Sequence, residues 1–325
     1  MNKRKFFRST GTAFLLLWMA ALPALAGICD NRFIVFGDSL SDPGNFYAFY
    51  GQVSQAPYAP VPDAPYDIRG HHFSNGATWI ERLSREFGSV ASGRPALARP
   101  GVNTNYAVGR ARARPGAAEF PDFDLSTQVR LFLNDAHGKA PPRATYVVWI
   151  GANDLDDALG ALQVDSSGAT SAAILNGALT ALAGNIQALW AAGARSFLVP
   201  NMPDFGLTPA LQMLGPQAAG AGHQLSVMYN DGLGQVLQQL QALPGARFIK
   251  LDTFQVITAA ATHPARFGLT DAQTPCLSFF VSADAVCSDP GDHLFWDAIH
   301  PTAAGHEIVE EAAEHALRAR HGASM

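Results

Sequence analysis

Four short runs, Phe33 to Phe36, Tyr146 to Ile150, Phe197 to Val199 and Phe248 to Leu251, are apolar in character rather than alternating with polar residues. Strands of this kind need cover on both faces, which a sheet with one wet side does not give. Between them, Leu175, Leu179, Leu182, Ile186 and Leu189 recur at steps of four and three, and Leu225, Tyr229, Val236, Leu240 and Leu243 mark a second stripe. Both stretches read as crossover helices. A third helix is expected from about Thr78, with Trp79, Leu83 and Phe87 along one side, and a last one from about Thr302 towards Arg318. The order β-α-β-α predicts a three-layer α/β/α sandwich with a central parallel sheet, whose ligand gathers beyond the carboxyl ends of the strands.

Ahead of that domain, Lys3, Arg4, Lys5 and Arg8 precede the apolar stretch Ala13 to Leu22 and then Ala24-Leu25-Ala26. The stretch falls short of the about 20 residues that span a bilayer, so residues 1–26 read as a secretory signal cleaved after Ala26. Residues 27–325 then form one domain. Ile28, where a lipid-modified cysteine is preceded by a small residue, argues against lipidation of Cys29. No later segment reads as a membrane span, and export to the medium or to a periplasm is expected. Cleavage removes four cationic side chains and no acid, moving the formal charge from -5 to -9, which disfavours nucleic acid as a partner. In an oxidising compartment Cys276 and Cys287 are expected to pair, the alternative being two buried thiols.

Chemistry sits where the strands end. Gly37-Asp38-Ser39-Leu40-Ser41-Asp42 follows the first run, Gly151-Ala152-Asn153-Asp154 the second and Asn201-Met202-Pro203-Asp204 the third. Asp297-Ala298-Ile299-His300, far downstream, supplies a carboxylate and an imidazole three residues apart. Acyl transfer needs a nucleophile, a base, a group to orient the base and donors for the oxyanion. Ser39, His300 and Asp297 take the first three roles, and the N–H of Ser39, the N–H of Gly109 and the side-chain amide of Asn153 take the last. Each residue also has a plainer reading: Ser39 as a helix cap, Asn153 and Asp154 as turn residues, His300 as a surface histidine. The common Gly-x-Ser-x-Gly elbow is absent.

Taken together, Phe36-Gly37-Asp38-Ser39-Leu40-Ser41-Asp42, Asn105-Tyr106-Ala107-Val108-Gly109, Gly151-Ala152-Asn153-Asp154 and Asp297-Ala298-Ile299-His300-Pro301-Thr302 resemble the blocks of the GDSL family of SGNH hydrolases. The resemblance runs over residues 33–309 and includes Phe73-Ser74-Asn75-Gly76 and Leu294-Phe295-Trp296. It implies a flavodoxin-like SGNH hydrolase fold, the same roles for Ser39, Gly109, Asn153, Asp297 and His300, and no metal or other cofactor. Within the family the likeness is to secreted bacterial phospholipase, lysophospholipase and glycerophospholipid acyltransferase members. Many relatives carry a second glycine where this chain has Arg110.

The expected activity is therefore a secreted serine esterase or lipase acting through an acyl-enzyme on phospholipid or lysophospholipid esters, with acyl transfer as a side reaction. A carbohydrate acetylesterase is the rival within catalysis, and a silent binding or adhesion protein the rival outside it. The expected partners are an ester or lipid substrate and transient contact with lipid surfaces, with no obligate protein partner. Three further readings stay open. Asp292, His293, Asp297, His300 and His306 cluster as a metal site would. Phe46, Tyr47, Phe49, Tyr50, Phe279, Phe280, Phe295 and Trp296 either line an acyl groove or pack the core. Arg110, Arg112 and Arg114 either attract a phosphate headgroup or belong to a solvated loop.

Overall fold

The computed structural model describes residues 32–51, 70–115, 123–281 and 283–322. Residues 1–26, read from the sequence as a secretory signal, and Cys29 lie outside them. In chain order the elements are β1 (Phe33–Gly37), α1 (Asn45–Tyr50), α2 (Trp79–Glu86), α3 (Leu125–Asp135), β2 (Thr145–Trp149), α4 (Ala152–Ala161), α5 (Ala169–Ala192), β3 (Ser196–Pro200), α6 (Pro209–Met213), α7 (Pro216–Leu240), β4 (Arg247–Leu251), α8 (Thr253–Thr262), β5 (Asp271–Pro275), β6 (His293–Phe295) and α9 (Ala303–Gly322).

Strands β1 to β4 form a parallel sheet in that order, with Gly37 opposite Trp149 and Ser196 opposite Arg247. Helices α3, α4, α5 and α7 pack together on one side, and α2, α8 and α9 on the other, so the α/β/α sandwich with a parallel sheet is the observed fold. β1, β2 and β3 are buried almost throughout, as their unbroken apolar character requires, whereas β4 departs from the expectation: Arg247 and Lys250 are exposed while Ile249 and Leu251 face the core. It is an edge strand, and the single lysine in its run marks the uncovered face.

On the other side of β1, Thr104 to Val108 runs parallel as an irregular fifth member. Val35 N–H donates to Thr104 O (2.9 Å), Tyr106 N–H to Val35 O (2.8 Å) and Val108 N–H to Gly37 O (3.2 Å). The chain therefore goes to one side of β1 first and to the other side afterwards. That reversal opens a crevice at the carboxyl end of β1, the place where open α/β sheets bind ligands.

Helix α5 is long and apolar enough, at a mean hydropathy of 1.3, to cross a membrane by length and composition, contrary to the reading of the sequence. Its Leu175, Leu179, Leu182, Ile186 and Leu189 stripe is instead buried in the core of the sandwich. Two short strands, β5 and β6, pair in parallel outside the main sheet. Cys276 and Cys287 form a disulfide with an S–S distance of 2.00 Å, packed with Leu277, Ala285 and Trp296 in a small cluster of its own.

Candidate active site

β1 leaves the sheet at Gly37 because nothing larger passes there: a Cβ would lie 2.6 Å from Trp149 O. Gln128, from α3, brackets this residue, accepting from Gly37 N–H (2.9 Å) and donating to Gly37 O (2.8 Å). Asp42 then accepts four main-chain N–H groups, from Gly44 (2.8 Å) and Asn45 (2.6 Å) on Oδ1, and from Phe46 (3.0 Å) and Gly109 (2.7 Å) on Oδ2. One carboxylate thus caps α1 and ties the neighbouring loop to the turn. Ser41 Oγ accepts from the Trp79 indole at 3.0 Å. Ser39 is held in a turn whose neighbours are all buried, and is itself 8% exposed.

Burial pushes the Asp38 carboxyl up to about 6, opposed by the N–H groups of Leu40, Ala152 and Gly151 and by the charge of His300. Burial likewise raises Asp42 to about 6, against its four N–H donors. These are carboxylates that water has left and main-chain dipoles have replaced.

The other arm arrives from β6. The loop closes on itself through Trp296 N–H to His300 O (2.7 Å). Asp297, 2% exposed, spends Oδ1 on the N–H groups of Ile299 (2.8 Å) and His300 (2.7 Å), and its Oδ2 lies 2.7 Å from His300 Nδ1. A carboxylate there keeps the proton on Nδ1, so Nε2 faces outward as an acceptor. His300 Nε2 stands 2.8 Å from Ser39 Oγ. Serine, imidazole and carboxylate, up to 261 positions apart in sequence, form one hydrogen-bonded chain.

Asn153 sits in the first turn of α4, beyond the end of β2. It is carried there by Gly151, whose φ of 141° only glycine adopts readily and whose missing side chain leaves room for the Tyr229 hydroxyl. That hydroxyl donates to Ile150 O at 2.8 Å. Asn153 Nδ2 donates one hydrogen to Ala111 O (2.9 Å), and the amide carries a second.

Gly109 needs correction as an oxyanion donor. Its N–H is engaged by Asp42, and cannot serve an oxyanion unless that contact opens. Its lack of a side chain answers to packing: a Cβ would lie 2.2 Å from the Phe73 ring. Arg110 follows with a φ of 65°, the left-handed conformation that a glycine in its place adopts without strain.

The three arginines separate. Arg112 makes a two-pronged pair with Asp157, through Nε to Oδ2 and a second bond of 2.7 Å to Oδ1, and Arg114 reaches both Asp157 and Asp154. Both fasten the loop to α4. The Arg110 guanidinium lies over the Phe46 ring at 5.8 Å. Of the metal-site alternative, Asp297 and His300 bond to each other, and His306 is buried with its imidazole pushed down to about 3 by that burial, then by the charges of His72, His300 and Arg82. Among the described residues no group of three such side chains is placed to hold a metal ion.

Of the aromatic residues, Phe46, Phe295 and Trp296 are buried, while Phe49 and Phe280 are exposed. Phe46, Phe73 and Val108 make a separate apolar cluster at the site. The reading of the sequence missed Gln128, Asp42 and Tyr229, which position the nucleophile turn and α4. Only Asp42 carried a signal, as the last residue of its block.

A family model described as GDSL-like lipase/acylhydrolase matches residues 33–313. A GDSL esterase/lipase of Arabidopsis thaliana is 30% identical, covering 85% of this chain and 84% of its own. The phosphatidylcholine-sterol acyltransferase of Aeromonas hydrophila is 24% identical over 87% of this chain and 89% of its own. Among solved structures, an acetyl xylan esterase of Geobacillus stearothermophilus aligns with a TM-score of 0.44 at 12% identity, covering 89% of this chain and 94% of that one.

Proposed function

Because the chain belongs to the GDSL-like lipase/acylhydrolase family and is a carboxylic ester hydrolase, we propose that Ser39, His300 and Asp297 perform the hydrolysis through an acyl-enzyme. The observation that carries this is the 2.8 Å approach of His300 Nε2 to Ser39 Oγ, with Asp297 at 2.7 Å behind the imidazole. Ser39 Oγ attacks the acyl carbonyl while its proton passes to Nε2, and Asp297 stabilises the imidazolium. Collapse expels the alcohol, which takes that proton. Water, giving a proton to His300, then attacks the acyl carbonyl carbon; Ser39 Oγ leaves, takes that proton back from His300, and the acid is released. Oxyanion stabilisation is assigned to the Ser39 N–H and to the second amide hydrogen of Asn153; Gly109 joins them only if Asp42 releases it.

For the substrate we infer a phospholipid or lysophospholipid acyl ester, with an alcohol able to replace water and so turn hydrolysis into acyl transfer. A relative that is a phosphatidylcholine-sterol acyltransferase supports this. So does the apolar surface near the base arm, where Ile299 adjoins His300 and Phe280 is exposed on the disulfide-closed segment beside Trp296. Contact with lipid surfaces through these residues, and export under the direction of residues 1–26, complete the proposal; the disulfide suits an oxidising compartment.

A substrate panel run with wild type and Ser39→Ala tests it, from acetylated sugars and short aryl esters to triacylglycerol, diacyl phospholipids and lysophospholipids. Turnover is expected to be highest on the phospholipid esters and to fall about a thousandfold or more in Ser39→Ala. Activity confined to acetylated sugars would instead establish the carbohydrate acetylesterase, and full activity in Ser39→Ala would refute the nucleophile.

A further inference from the structure

Three consecutive residues, Phe73, Ser74 and Asn75, take hold of the base loop at three successive places. The Phe73 ring lies 5.1 Å from the His300 ring at 36°. The fully buried Ser74 donates its hydroxyl to Pro301 O at 2.9 Å. Asn75 Oδ1 accepts from Ala303 N–H at 2.7 Å. Ala303 opens α9, so this N–H is one of the donors a helix cannot satisfy from within. Asn75 therefore caps α9 from a segment more than two hundred residues away. Gly76 permits the approach, since a Cβ there would already stand 3.0 Å from the Ala303 Cβ.

The segment is itself anchored. His72 is buried, with Nε2 2.7 Å from Glu81 Oε2, and the same oxygen accepts from Thr78 N–H (2.8 Å) and Thr78 Oγ1–H (2.9 Å) at the start of α2. Phe73 also packs edge-on to Phe46 at 5.5 Å and fills the space that a side chain on Gly109 would need. One ring thus lies against both the imidazole and Gly109.

Such a clamp has a physical purpose. β6 is only three residues long, and the loop that follows bonds to itself and, outside itself, to Leu277 through Trp296 O and to Ala210 of α6 through Ala298 O; neither of those bonds reaches His300 or the start of α9, whose placement against β1 is left to other contacts. Misplacing a reacting group by about 1 Å costs on the order of a hundredfold in rate. We propose that Phe73, Ser74 and Asn75 are positioning residues that set the distance and angle of His300 to Ser39, an inference that rests on the acyl-enzyme reading.

The experiment compares Asn75→Ala, Asn75→Asp and Ser74→Ala with wild type in two assays. The first is steady-state hydrolysis of a soluble aryl ester. The second is the rate of labelling by a fluorophosphonate, in which Ser39 Oγ displaces fluoride from phosphorus and its proton passes to His300. Asn75→Ala is expected to lower kcat and the labelling rate about tenfold, with KM within about twofold of wild type, whereas Asn75→Asp, which keeps an acceptor for Ala303 N–H, recovers most of both. Ser74→Ala, which leaves the α9 cap intact, serves where Asn75→Ala does not fold, and is expected to lower kcat in the same direction without changing KM.

Unchanged kcat and labelling in folded Asn75→Ala and Ser74→Ala would overturn the proposal, as would an equal loss in Asn75→Asp. Folded wild type that fails to label at all would defeat the acyl-enzyme reading itself, a result separate from either.

Discussion

The two halves of the site are held by different means. Ser39 stands at the end of a strand whose every residue is buried, in a turn gripped by Gln128 and Asp42 through six hydrogen bonds to main-chain groups. His300 and Asp297 stand on a loop after a three-residue strand, held from outside by a disulfide-closed segment, by the N–H of Ala210 on Ala298 O and by Ser74 and Asn75. The nucleophile is part of the fold, and disturbing its surroundings means disturbing the sheet. The base arm is attached to the fold, so its placement can fail while the fold survives. Damage on the first side should therefore appear in stability, and damage on the second in kcat.

Among variants that keep Ser39 and His300, Asp297→Asn should produce the largest effect. The amide oxygen still accepts from Ile299 and His300, but its NH2 would donate to Nδ1 and force the imidazole into the wrong tautomer. A loss in kcat of about 10³ to 10⁴ is expected, with the denaturant midpoint close to wild type. A large shift in that midpoint would erase the contrast between the two arms.

The mirror experiment is Asp42→Asn, where an NH2 would meet the N–H of Phe46 and Gly109 on the Oδ2 side. Losing charge-assisted bonds and leaving two buried donors unpaired should cost about 3 kcal/mol or more of stability, read from urea unfolding. Stability equal to wild type would mean that Asp42 does not organise the turn. Cys276→Ala with Cys287→Ala comes next. An effect of about 2 to 3 kcal/mol is expected from the lost loop closure, together with a fall in kcat, because Leu277 N–H is bonded to Trp296 O next to Asp297. Wild-type kcat in a measurably destabilised double variant would detach the disulfide from the site.

The same division explains what could be read from the sequence. The β1, β2 and β3 runs and the α5 and α7 stripes were legible because full burial imposes a composition, and the blocks that hold Ser39, Asn153, Asp297 and His300 stood out because the chemistry proposed for them tolerates few alternatives. Thr104 to Val108 was not legible as a sheet member: it joins β1 through main-chain bonds, which leave no mark on side-chain choice. Gln128 gave no signal, since a buried glutamine bracketing one glycine has no pattern. The Gly109 N–H looked available until the position of Asp42 was known. Ser74 and Asn75 were noticed only by resemblance, because their use depends on carbonyl and amide groups that the chain brings to them from its far end.

The comparison is sharpened last by a residue that belongs to neither arm, whose effect is absent at neutral pH and grows only as pH falls. His306, on the buried face of α9, is pushed down to about 3 by burial, then by the charges of His72, His300 and Arg82. A histidine whose folded value lies below its unfolded one of about 6.5 contributes stability that is complete above about 6.5 and lost as pH falls towards 3, because the unfolded chain takes the proton first. The loss is at most about 1.4 kcal/mol per pH unit across that window. Asp38, Asp42 and Asp154 act oppositely: burial raises each to about 6, so their contribution is complete below about 3.8 and lost as pH rises through 6. Between pH 4 and 6 the three carboxyl groups outweigh the one imidazole, so wild type should on balance lose stability as pH rises through that window. His306→Gln removes one term only, so the difference in unfolding free energy between wild type and variant should decline steadily from pH 6.5 downwards while the carboxylate contribution cancels. A difference independent of pH would mean that His306 takes its proton in the fold as readily as out of it, and that water reaches the space behind the base arm.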